Sequence, residues 1–281
     1  MPLLNSPRAS GVLAGASANP LMLRVITGVV LVAVALAAVR LGGMAFTALV
    51  SAATLVMFME WSMMHRLPRG LRLAGLALLA GAIMVMTLES VGEAVLLLAG
   101  GAAALGIFAR GMQRGLGVWV ALGILYAGLP AVAMIWLRGL SLGLAATIFL
   151  MACVWAADII AYFTGRTLGG PKLAPSISPN KTWSGAIGGI VGAMLVAGGL
   201  ATWYLAQTGG IKAGYFIGLA GFLAVLSVLG DLFESWLKRR AGVKDSGNLL
   251  PGHGGVMDRL DGLVPVAIAG AGVFALTGWA G

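Results

Sequence analysis

Asp231–Asp261 reads DLFESWLKRRAGVKDSGNLLPGHGGVMDRLD. It holds five of the chain's nine carboxylates, Asp231, Glu234, Asp245, Asp258 and Asp261. It also holds five of the eighteen basic side chains, Lys238, Arg239, Arg240, Lys244 and Arg259. On either side of this polar island the chain is a succession of apolar runs, and that contrast decides the fold class. The 281 residues are 60% hydrophobic and only 10% charged. A soluble domain of this size has too little interior to hide so much apolar surface, so the bilayer is the solvent. The runs are long and continuous, not short and alternating, which selects helices over a transmembrane barrel. The expected fold is therefore all-α, a polytopic integral membrane protein.

About 20 apolar residues cross a bilayer as a helix. On that rule nine spans are expected, at 21–39, 42–64, 71–88, 91–109, 116–137, 140–163, 184–206, 213–235 and 262–279. Residues 1–20 are small and polar apart from Arg8 and read as a mobile tail before a retained first helix. With the N-terminus in the cytoplasm, fifteen of the eighteen basic residues fall on the cytoplasmic side. Only Arg40, Arg138 and Lys212 fall outside, together with Glu89 and Glu93. The positive-inside rule supports this orientation, with the C-terminus outside and the inner (cytoplasmic) membrane as the location. Basic loops that hold topology and meet anionic lipid account for the net charge of +9 without nucleic acid. The single cysteine, Cys153, excludes an internal disulfide. The 44 glycines permit close helix packing, and a homodimer, without demanding one.

This topology brings four aspartates distant in sequence to one depth. Asp158 lies near the cytoplasmic end of the sixth span, Asp231 near that of the eighth, and Asp258 and Asp261 at the start of the ninth. Asp258 and Asp261 are spaced i, i+3 and share a helical face. Adjacent carboxylates repel, and a divalent cation relieves that repulsion; all-oxygen ligation suits Mg²⁺. Asp231 is the natural third ligand, because the loop between can fold back. The alternative is structural neutralisation by Arg259 and its basic neighbours. Glu234 reads either as a ligand or, at i, i+4, as the partner of Lys238, and the spacing favours the pair. Asp158, in WAADIIAYFTG, has no basic residue within a helical turn, and an ionisable group inside an apolar run is a functional candidate.

Lys238, Arg239, Arg240 and Lys244 serve either as a positive flank of the eighth span or as ligands for phosphate oxygens. Carboxylates for a metal beside bases for phosphate are the parts of a nucleotidyl or phosphoryl transfer site. Gly247, Pro251, Gly252, Gly254 and Gly255 mark a turn-rich loop whose N–H groups can approach an anion. His253 within it either donates to phosphate and moves protons or caps a turn. The loop 165–183, GRTLGGPKLAPSISPNKTW, is irregular by composition and offers Ser178, Lys181 and Thr182 to phosphate. The competing class is an ion-coupled transporter with aspartates in the path, but the sequence lacks the internal repeat and paired broken helices of such folds.

Ser235, Lys238, Arg239, Lys244, Asp245, Gly247, Leu250, Pro251, His253, Gly254, Gly255, Asp258, Arg259 and Asp261 resemble, in order and spacing, the signature of the phosphatidate cytidylyltransferase (CDP-diacylglycerol synthase) family. Asp158, Ala161, Tyr162 and Gly165, then Ser178, Pro179, Lys181 and Thr182, are similar to its upstream elements. One position departs: Ser184 stands where the family often has Glu, so no role of that acid transfers. The resemblance covers roughly 155–261. It implies synthesis of CDP-diacylglycerol and pyrophosphate from CTP and phosphatidic acid, with Mg²⁺ and room for a second cation. It further implies catalysis by Asp231, Asp258, Asp261, Lys238, Arg239, Lys244 and His253, the three aspartates holding the metal. Substrate is expected at Asp158, Ser178, Lys181, Thr182, Ser235, Asp245 and Arg259. On this reading N-terminal helices occupy 21–138, and catalytic helices occupy 139–281 with cytoplasmic loops 165–183 and 236–261. A relative acting on another lipid phosphate is the nearest alternative.

Overall fold

A computed structural model describes residues 20–206, 214–250 and 254–278. The expected tail, Lys212 and His253 lie outside the described residues. The helices are α1 Pro20–Leu41, α2 Gly43–Met64, α3 Arg69–Leu88, α4 Val91–Met112, α5 Leu116–Gly139 and α6 Gly143–Leu168. A short hairpin follows, β1 Lys172–Ala174 and β2 Ser178–Thr182, then α7 Trp183–Ala193. One π-helical turn, Met194–Gly198, joins α7 to α8 Gly199–Ala206. The chain closes with α9 Gly214–Ala241, α10 Met257–Leu260 and α11 Leu263–Thr277. Seven helices are long and apolar enough to cross a membrane: α2 to α6, the rod Trp183–Ala206 and α9. The shorter apolar helices Val25–Leu41 and Leu263–Thr277 coincide with the first and last expected spans. The protein is thus an all-helical, multi-pass membrane protein.

The turns follow local chemistry. The Ser90 hydroxyl accepts from the Glu93 amide at 3.3 Å and starts α4, so two polar residues suffice to separate α3 from α4. Thr182 does the same for α7, accepting from the Gly185 amide at 3.1 Å. The last span has a different construction. α11 has 15 residues, about 22 Å at 1.5 Å per residue and short of a 30 Å hydrocarbon core. Val256, Asp261 and Gly262 are also right-handed helical, so helical backbone runs from 256 to 277. Asp258 and Asp261 therefore sit on the opening turns of the last crossing.

Two departures from expectation bear on the site. The loop 165–183 is not irregular: α6 runs to Leu168, and β1 pairs antiparallel with β2 in the register Lys172↔Thr182 and Ala174↔Ser178. The loop expected from 236 begins later, because nothing breaks α9 before Gly242, whose φ of 75° ends it. Lys238, Arg239 and Arg240 are accordingly helical and fixed in direction.

In lipid no hydrophobic drive joins helices, so association rests on close packing of small residues. α7 presents Gly185 and Gly189 to α6, where a Cβ on Gly189 would meet the Ala157 carbonyl at 2.6 Å. Two large apolar clusters fill much of the interior of the described residues. One, around Leu150, Phe216, Leu223 and Phe274, joins α1, α5, α6, α9 and α11; the other, around Phe58, Trp61, Leu98, Ile124 and Leu237, joins α2 to α5 with the end of α9. At the basic end, Trp61 Nε1 donates to the Trp119 carbonyl at 2.8 Å, and the Arg240 guanidinium lies 5.3 Å over the Trp119 ring and 5.5 Å over Trp236. At the opposite end Arg138 Nε donates to the Val39 carbonyl at 2.7 Å.

Candidate active site

The site is a seam of charged side chains at the basic end, where α6, β2, α9, α10 and the last turns of α2 meet. Lys181, at the end of β2, reaches Asp231 of α9 with Nζ 2.6 Å from Oδ2. One helical turn on, Glu234 is 1% exposed and its Oε2 lies 3.0 Å from Lys238 Nζ, the i, i+4 pair that the spacing favoured. The same Lys238 Nζ lies 2.6 Å from Asp258 Oδ1. Asp258 Oδ2 accepts from the Ser246 amide at 3.0 Å and the Gly255 amide at 2.8 Å.

Asp231 and Asp261 come together because two glycines let their segments touch. A Cβ on Gly230 would meet the Asp261 carbonyl at 2.5 Å, and one on Gly262 would meet Ser227 Oγ at 2.5 Å and Asp231 Oδ1 at 3.0 Å. Asp261 accepts from the Gly262 amide at 2.9 Å and interacts with Glu234. Asp158, exposed on α6, is close enough to feel the charges of Asp231, Asp261 and Lys181.

The expected metal triad is therefore divided. Asp231 and Asp261 share one place with Glu234, whereas Asp258 lies on the far side of Lys238 with both oxygens engaged. Among the described residues no three carboxylates converge as a ready ligand set. The donor set nevertheless suits a hard cation. Asp231 Oδ1, Glu234 Oε1 and Ser227 Oγ are buried oxygens without a hydrogen-bond partner, beside the Asp261 carboxyl. Buried oxygens in that condition are costly, and a divalent cation satisfies them together.

The remaining expected residues are distributed around the seam. Arg239 donates from Nε to the Ile177 carbonyl at 3.3 Å and from a terminal nitrogen to the Val243 carbonyl at 3.4 Å, tying α9 to the hairpin. Ser235 is half-buried on α9, Ser178 opens β2, and Lys244, Asp245 and Arg259 are exposed. Thr182 is buried and occupied as the α7 cap. Ser184 donates to the Gly169 carbonyl and contacts Thr182, so it closes the turn after α6 and does not replace an acid in the seam.

The family comparison decides the class. The cytidylyltransferase family matches residues 22–276. The chain belongs to the cytidylyltransferase family. Among curated relatives, a protein of Brucella abortus (strain 2308) named phosphatidate cytidylyltransferase is 45% identical over 253 residues, covering 88% of this chain and 90% of its own. Proteins of the same name from Synechocystis sp. and Bacillus subtilis (strain 168) are 50% and 43% identical over 122 and 144 residues, or 43% and 51% of this chain and 40% and 52% of their own. A membrane cytidylyltransferase accounts for a site that offers cations to phosphate and carboxylates to a metal at one end of a helical bundle.

Sequence reading missed two participants. Ser246 links Asp258 to Glu60, 3.0 Å from each, and Glu60 of α2 is 2% exposed. The signal for Glu60 was present: an acid in LVMFMEWSMM, inside an apolar run, meets the criterion applied to Asp158.

Proposed function

We propose that this protein carries out the reaction for which its curated relatives are named, making CDP-diacylglycerol and pyrophosphate from CTP and phosphatidic acid at the cytoplasmic face of the inner membrane. A phosphate oxygen of the lipid forms a bond to the α-phosphorus of CTP, and the bond from that phosphorus to the β-phosphate oxygen breaks. The nucleophile is already an anion, so no strong general base is required. The barrier is repulsion between like charges, which preorganised positive groups relieve.

Lys181 and Lys238 are aimed by Asp231 and Asp258 and bind phosphate oxygens, with Arg239 and Lys244 at the mouth for the leaving pyrophosphate. Asp231 and Asp261, with Glu234 beside them, hold a Mg²⁺, which when bound neutralises phosphate charge. Asp158 tunes the same acids from α6. Arg259 lines an apolar cavity of about 560 Å³ with Leu31, Phe46, Met57, Trp155 and Leu263, which suits acyl chains entering from the bilayer. The observation that carries this reading is the seam itself, lysines for phosphate a few ångströms from buried oxygens without partners.

The test is purified protein in detergent with CTP and Mg²⁺, supplied in turn with phosphatidic acid, diacylglycerol and an isoprenoid phosphate. Pyrophosphate and a CDP-lipid are expected with phosphatidic acid and not with diacylglycerol, which lacks the nucleophile. Turnover with the isoprenoid phosphate alone would move the substrate assignment to another lipid phosphate. No product with any lipid phosphate would overturn the enzyme reading.

A further inference from the structure

Glu60 lies among the N-terminal helices, which carry none of the motif residues. Its carboxylate is buried where α2 meets residues 246–250 and 254–257, together the strap. The Val256 amide donates to Oε1 at 2.9 Å and the Met257 amide to Oε2 at 2.8 Å. Ser246 Oγ stands 3.0 Å from Glu60 Oε2 and 3.0 Å from Asp258 Oδ2. A hydroxyl has one proton, so Ser246 donates to one of these carboxylates at a time and joins them through a single group. The strap is glycine where it passes the carboxylate: a Cβ on Gly247 would lie 2.7 Å from Oε1, and one on Gly255 2.6 Å from Oε2. A continuous path runs from α2 through Glu60, Ser246 and Asp258 to Lys238 Nζ.

A bland account makes Glu60 a packing residue that satisfies two amides. Those amides need an acceptor, since buried N–H groups without one are costly. Satisfying amides does not, however, require the acceptor to be joined through Ser246 to the carboxylate that aims Lys238. We infer that Glu60 is a positioning residue for nucleotidyl transfer, clamping the strap so that Asp258 and Lys238 face the transferred phosphate. This rests on the reading of the chain as a CTP-dependent lipid cytidylyltransferase.

The experiment compares wild type, Glu60→Gln, Ser246→Ala and the double variant in detergent, by steady-state turnover of CTP and phosphatidic acid and by hydrogen–deuterium exchange. Partners that orient reactive groups are typically worth 10- to 100-fold. Glu60→Gln is expected to lower kcat by about that factor, with KM for CTP changing less than about threefold. Exchange should rise over 244–250 and 254–257 and stay unchanged over α3 and α4. Because both residues act on Asp258 through one path, the double variant should lose far less than the product of the single losses.

Wild-type kcat in Glu60→Gln would overturn the inference. So would multiplicative losses, or a fall in kcat with exchange of the strap unaltered. If Glu60→Gln does not fold, Glu60→Asp, which withdraws the carboxylate by one methylene, takes the same measurements. A wild-type protein that turns over no CTP would sink the functional reading instead, and the exchange of the strap would then judge the clamp by itself.

Discussion

Lys238 lies 3.0 Å from Glu234 and 2.6 Å from Asp258, so one ammonium is aimed by acids from two segments. Removing the Asp258 charge frees it to swing. Asp258→Asn is expected to leave a folded protein in detergent, because the Ser246 and Gly255 amides retain an acceptor. CTP-dependent turnover should fall by at least about a hundredfold, the upper range for a partner that orients a reactive group. Near-normal turnover would remove Asp258 from the site. The residues of the seam were legible from spacing and resemblance. Its division was not, because the position of Lys238 between Asp258 and the other acids depends on how α10 docks on α9.

At the scale of elements, contacts are made where glycine admits a neighbour. Gly262→Ala would put a methyl 2.5 Å from Ser227 Oγ and 3.0 Å from Asp231 Oδ1, so it should cost about 1–3 kcal/mol and lower turnover by displacing Asp231. Gly189→Ala meets the Ala157 carbonyl at 2.6 Å and should cost a similar amount in stability through the α6–α7 contact. Its contacts are with Ala157 and Ala161 and with no charged side chain, so it should lower turnover per folded molecule less than Gly262→Ala does. Equal losses of turnover in both variants would show that the Gly262 approach is ordinary packing. The helices were readable because a run of apolar residues has one stable form in lipid, with every backbone group bonded internally. The β1–β2 hairpin was not, since Pro175 and Pro179 and the glycines of 165–183 read as turn chemistry, and the pairing Lys172↔Thr182 joins residues ten positions apart. The helical state of Lys238–Arg240 has a simpler reason. Charge marks the edge of an apolar span but does not end a helix, and α9 continues to Gly242, where the backbone turns left-handed.

Across the whole molecule, the basic loops and the seam lie at one end of the bundle, and α2 of the N-terminal helices is joined to that end through Glu60. The orientation in the membrane rests on fifteen basic residues against three. It is open to a direct check, because the one native cysteine, Cys153, is buried and should resist labelling. Ser176→Cys in the hairpin turn should react with an impermeant maleimide only in inverted membrane vesicles, and Glu89→Cys between α3 and α4 only in right-side-out ones. Both residues are exposed, so failure to react in one orientation reports sidedness and not burial. The reverse pattern would place the seam on the outer side and remove it from cytoplasmic CTP. The measurement that bears most directly on what the protein does is transfer of α-phosphate label from CTP to lipid, using purified protein with Mg²⁺ and phosphatidic acid and comparing wild type with Asp261→Asn. The expected result is a labelled CDP-lipid with one pyrophosphate released per label transferred, and loss of both in the variant. Labelled lipid formed equally well by Asp261→Asn, or no label in lipid with the wild type, would contradict it.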